Sequence, residues 1–118
     1  MDRIGSGRGE AAPKSVPLLD PVQLNLKTHG SASLQIEVLS LFVTEVERLM
    51  RQLEEASDPQ LRGDRLRALA AVARNTGAAL VAQKARAAEA QVIAGDPDLS
   101  ALRIAVSDTL AYIRRSGY

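Results

Sequence analysis

The chain has no cysteine and no tryptophan, and aromatic residues make up 3% of it. Without cysteine there can be no disulfide and no thiolate metal site, which fits a reducing compartment. The apolar content is carried by Ala, Leu and Val, and the shortage of aromatics argues for helix against helix rather than for sheet. No apolar run approaches the ~20 residues of a membrane span. The N-terminus shows no apolar signal core either, so a cytoplasmic protein with no membrane partner is expected. An excess of one charge is missing too. With 15 basic and 14 acidic side chains, no global field gathers nucleic acid or anionic lipid. The near absence of aromatics further weakens a nucleic-acid reading.

What is present suffices for one compact domain and not for two: 118 residues, 46% of them apolar. Residues 1–17 hold Gly5, Gly7, Gly9, Pro13 and Pro17 without apolar periodicity, and are expected to be a disordered tail. Gly5-Ser6-Gly7-Arg8-Gly9 is no phosphate loop, because no strand precedes it and no helix follows. Residues 18–118 are expected to form the folded domain.

Three Asp-Pro dipeptides punctuate that domain, at Asp20-Pro21, Asp58-Pro59 and Asp96-Pro97. An Asp carboxylate caps the free N–H groups of a helix start, and proline suits the first helical position, where its missing N–H is not needed. Helices are therefore expected to begin near 21, 59 and 97. Thr28-His29-Gly30-Ser31 ends the first, short helix, and Ser31 or Ser33 can cap a second. That second helix runs to about Ala56 through Leu34, Val38, Leu41, Phe42, Leu49 and Leu53. Asn75-Thr76-Gly77 breaks the third helix from a fourth, which spans about Ala79 to Ala94 before Gly95. The last helix carries Leu102, Val106, Leu110 and Ile113 on one stripe. The expected fold is all-α, an antiparallel four-helix bundle with a short additional N-terminal helix.

The third helix has an apolar stripe of Leu66, Leu69, Ala73 and Thr76. On the far side the same pattern gathers Arg67, Ala70, Ala71, Arg74 and Ala78. The stretch Leu66-Arg67-Ala68-Leu69-Ala70-Ala71-Val72-Ala73-Arg74-Asn75-Thr76-Gly77-Ala78 resembles the motif of histidine-containing phosphotransfer domains, roughly A-H-x-L-K-G-x-A-x-x-x-G-A. The resemblance covers about Leu19 to Ile113, and includes an Ala-rich fourth helix with Glu89. It implies a phosphorelay module whose exposed helix face docks on a receiver domain of a response regulator or on a hybrid histidine kinase.

The departures from that motif concern its chemistry. The phosphoacceptor histidine falls at Arg67, the motif lysine at Ala70 and the motif glycine at Ala71. An imidazole offers a nitrogen lone pair near neutral pH, whereas a guanidinium stays protonated and cannot accept a phosphoryl group. Leu69, Ala73, Gly77 and Ala78, the positions that build the helix pair, are kept. A degenerate, non-enzymatic relative is therefore expected, with no cofactor and no metal, acting by protein–protein contact. By resemblance, Arg67, Ala70, Ala71, Arg74 and Ala78 would form the partner-binding face, with Arg67 reaching the receiver's carboxylate-lined pocket.

Two alternatives stay open. His29, the only histidine, lies in the turn between the first two helices and would have to serve an active phosphotransfer protein. A structural or dimerising helical bundle is the other. The charge pattern supports two readings as well. The second helix is acidic (Glu37, Glu45, Glu47, Glu54, Glu55) and the third basic (Arg62, Arg65, Arg67, Arg74), as expected for mutual attraction of neighbouring helices or for a docking surface.

Overall fold

The computed structural model describes residues 16–117, which form five α-helices and no strand. They are α1 Pro21–Lys27, α2 Ala32–Glu55, α3 Pro59–Thr76, α4 Ala79–Val92 and α5 Ser100–Arg115. Residues 1–15 of the expected tail lie outside the described residues.

Local chemistry sets most of the boundaries. The Asp20 carboxylate accepts from the Val22 N–H at 3.0 Å and from the Gln23 N–H at 3.4 Å, with Pro21 opening α1. Asp58 caps α3 in the same way, accepting from the Gln60 N–H at 3.1 Å. Ser31 starts α2 by accepting from the Leu34 N–H at 3.2 Å. The third Asp-Pro does not start a helix. Asp96 instead forms an ion pair with Arg62, and α5 begins at Ser100, whose N–H donates to Asp98 at 2.9 Å. The carboxylate two residues further on has taken the turn-forming role.

Between α3 and α4 only Gly77 and Ala78 intervene. Gly77 has φ of 90°, the left-handed conformation that ends a helix and that a Cβ opposes. The Ala78 N–H returns to the Ala73 carbonyl at 2.8 Å. The chain before α1 crosses this turn. The Asp20 N–H donates to the Gly77 carbonyl at 2.7 Å, and the Leu80 N–H donates to the Pro17 carbonyl at 3.1 Å. Pro17, expected in the tail, is thus hydrogen-bonded to the body.

Helices α3 and α4 share the most extensive packing, followed by α2 with α3 and α4 with α5; α2 and α5 also touch, closing the ring. The contacts run antiparallel. Gly63 lies against Val92 while Arg67 pairs with Glu89. Likewise Glu54 pairs with Arg103 while Glu47 pairs with Arg114. As one number rises its partner falls, so the bundle is antiparallel, as expected.

The core contains Leu66, Leu69, Ala73 and Thr76 of α3 and Leu102, Val106, Leu110 and Ile113 of α5, both stripes as the periodicity predicts. Each fully buried leucine contributes roughly 1.5–3 kcal/mol relative to exposure. On α2 the buried stripe is Leu39, Phe42, Val46, Leu49 and Leu53. Leu34 and Leu41, expected in the core, are exposed, and Val38 is half-buried. The N-terminal half of α2 carries two apolar stripes side by side, and only the one through Leu39 faces the bundle axis.

Candidate functional site

Arg67 sits in the middle of α3 with its side chain 67% exposed. Its Nε donates to Glu89 Oε2 of α4 at 3.0 Å, and its Nη1 donates to Asp64 Oδ1, one turn earlier, at 3.3 Å. The guanidinium therefore spans the outer seam of the α3–α4 pair. The Asp64–Arg67 contact is legible as an i,i+3 pair; the Glu89 contact requires the antiparallel register.

The structure divides the five expected docking residues. Arg67 and Arg74 are exposed and Ala71 is half-buried, so these three share an accessible face. Ala70 is only 4% exposed and Ala78 is completely buried, and neither can meet a partner. The reason is geometric. Ala70 is two turns from Gly63 and so shares its side of α3, the side that rests on Val92 of α4. A single-helix pattern shows one buried stripe, but α3 has neighbours on two sides and buries a wider arc. Ala78 lies in the tight turn beneath the segment that leads into α1.

On its other flank the exposed face of α3 opens onto a groove. Val72 and Asn75, next to Ala71, line it with Thr76 and with Val38, Leu41, Phe42 and Glu45 of α2, enclosing about 430 Å³. Leu41 is 65% exposed. This apolar flank is a candidate element that the sequence reading missed, because it assigned Val38 and Leu41 to the core.

The acidic residues of α2 do not pair with the arginines of α3 among the described residues. Glu54 and Glu47 bind Arg103 and Arg114 of α5, at 2.8 and 3.3 Å, and Glu45 binds Arg48 within α2. The attraction expected between α2 and α3 is realised between α2 and α5. Hydrogen bonds from Arg103 hold the Glu54 carboxyl below its ordinary range, and Arg48 does the same to Glu45.

His29 is exposed in the α1–α2 turn with φ of 51°. It is on a loop between α1 and α2, not in the middle of a helix. Among the described residues no group of three or more His, Cys, Asp or Glu side chains could hold a metal ion. Chemically, the face around Arg67 can pair with carboxylates or phosphates through a planar fork of donors. No protein-family model, no curated protein and no solved structure matches this chain.

Proposed function

We propose that this protein is a phosphotransfer-like docking module without a phosphoacceptor, binding a receiver domain of a response regulator or a histidine kinase in a phosphorelay. The observation that carries the reading is the exposed Arg67 in the middle of α3, at the position where the motif it resembles has its histidine. Around it, Leu69, Ala73, Gly77 and Ala78 match the motif and are buried or form the turn, so the resemblance is strongest in the parts that make the helix pair.

The proposed contact surface is Arg67, Ala71 and Arg74, flanked by the groove at Val72 and Leu41. Arg67 offers a charge that complements carboxylates, and the groove offers apolar area for a partner helix. Binding should be tested by calorimetry against candidate receiver domains, with Arg67→Glu as the discriminating variant. A loss of binding in that variant supports the reading. Equal binding by parent and variant overturns it.

A second reading has its own observation. Arg67 already has two carboxylate partners within the molecule, Glu89 and Asp64. In a purely structural bundle its role would be to tie α3 to α4.

A further inference from the structure

Ion pairs hold five of the arginines in the described region: Arg48, Arg62, Arg67, Arg103 and Arg114. Arg51, Arg65, Arg74, Arg86 and Arg115 have no such pair among the described residues, and two of these five share one groove. Arg74, near the end of α3, and Arg86, in the second half of α4, line the same open groove beside the Gly77 turn, which encloses about 580 Å³. Neither has a carboxylate partner among the described residues. The groove also receives the side chains of Gln23 and Gln83, whose amides can donate hydrogen bonds, and its size lies within the range of small-ligand sites.

One acidic residue, Asp20, lines the groove as well. Its carboxylate is committed to the start of α1, where it accepts from the Val22 and Gln23 N–H groups. The framework is fixed before any ligand arrives. The Asp20 N–H to Gly77 carbonyl bond of 2.7 Å and the Leu80 N–H to Pro17 carbonyl bond of 3.1 Å clamp the turn. A Cβ on Gly77 would come within 3.1 Å of the Asp20 carbonyl oxygen, so that wall has no slack.

We propose that this groove is a binding site for a small oxyanion of at least two negative charges, a phosphate ester or a dicarboxylate. Two guanidinium groups from facing helices supply planar forks of donors that match phosphate and carboxylate oxygens. The groove shares Arg74 with the proposed contact surface, whereas Arg86, Gln83 and Gln23 lie outside that surface.

The test is an amide-resolved NMR titration of the full chain at constant ionic strength, with inorganic phosphate in one series and succinate in another. Saturable shifts confined to Gly77, Ala79 and Gln83 support the site, and the stronger of the two probes identifies the oxyanion. Arg86→Gln, an exposed change that leaves the core untouched, should weaken the response about tenfold, whereas Arg115→Gln should leave it unchanged. Shifts that stay linear in concentration, or that persist undiminished in Arg86→Gln, overturn the proposal.

Discussion

Arg67 on α3 and Glu89 on α4 are joined by a hydrogen bond of 3.0 Å between Nε and Oε2, at the outer edge of a seam where Gly63 of α3 rests on Val92 of α4. The pair is substantially exposed, 67% for Arg67 and 28% for Glu89, so solvent screens it. Glu89→Gln should therefore lower unfolding stability by less than about 1 kcal/mol, measured by urea denaturation. On the docking reading it should also tighten binding to an acidic partner pocket, because Arg67 then has one internal carboxylate competitor, Asp64, instead of two. A stability loss of several kcal/mol would make the pair a structural clamp instead.

Gly77 is the position where the backbone leaves no latitude. Its φ of 90° and the 3.1 and 3.2 Å approaches that a Cβ would make to Asp20 and Gln23 act together. Gly77→Ala should destabilise the fold by about 1–3 kcal/mol. Gly95→Ala, which has a positive φ but open space around it, should cost less. Equal losses for the two variants would show that the close approach contributes nothing.

Restoring the motif residues by substitution will not be neutral. Ala70→Lys places a long cationic side chain at a position only 4% exposed, against α4. The ammonium must reach past the helix seam to water, and the expected cost is about 1–3 kcal/mol. Arg67→His and Ala71→Gly change more accessible positions and should be better tolerated in thermal unfolding, apart from about 0.5–1 kcal/mol for a mid-helix glycine. If Ala70→Lys is the mildest of the three, the α3–α4 seam is loose enough to admit a long side chain.

The pH dependence of stability has a definite sign. Glu54 is held below its ordinary value of 4.5 by hydrogen bonds from Arg103. The Ser100 N–H holds Asp98 below its ordinary 3.8. Each depressed carboxyl contributes stability above its unfolded-state value and loses it as pH falls through the lower folded-state value. Unfolding free energy should be flat above about pH 5.5 in this respect and should decline below about pH 4.5. Glu54→Gln should flatten part of that decline. An unchanged acid limb in Glu54→Gln would mean that the Arg103 contact does not form in solution.

Helix type, order and most boundaries were legible because they rest on local chemistry: Asp20 and Asp58 as caps, Gly77 as a stop, and the Leu66–Leu69–Ala73 stripe. What failed depends on a neighbour the sequence does not name. Asp96 has the same dipeptide as Asp20, yet Arg62 of another helix takes its carboxylate and Asp98 forms the turn before α5. Ala70 appears outward on a wheel that allows α3 one packed side, and is buried because α4 covers another. Leu41 has the spacing of a core residue but belongs to the second of two stripes, and only the stripe through Leu39 and Val46 faces inward. For the candidate site, Arg67 and Arg74 were legible as exposed cations. Of the partners of Arg67, Asp64 is legible as an i,i+3 pair, whereas Glu89 is not, since it meets Arg67 only through the antiparallel hairpin.

The most direct test of the account is the affinity of the full chain for a panel of receiver domains, measured by calorimetry for the parent and for Arg67→Glu. The substitution leaves the buried stripe untouched, so circular dichroism and thermal unfolding should show an intact helical bundle. The parent should bind at least one receiver, and Arg67→Glu should weaken this at least tenfold, since a like-charge contact at an interface can cost several kcal/mol. Parent and variant binding the same receiver with equal affinity would contradict it, as would a parent that binds none.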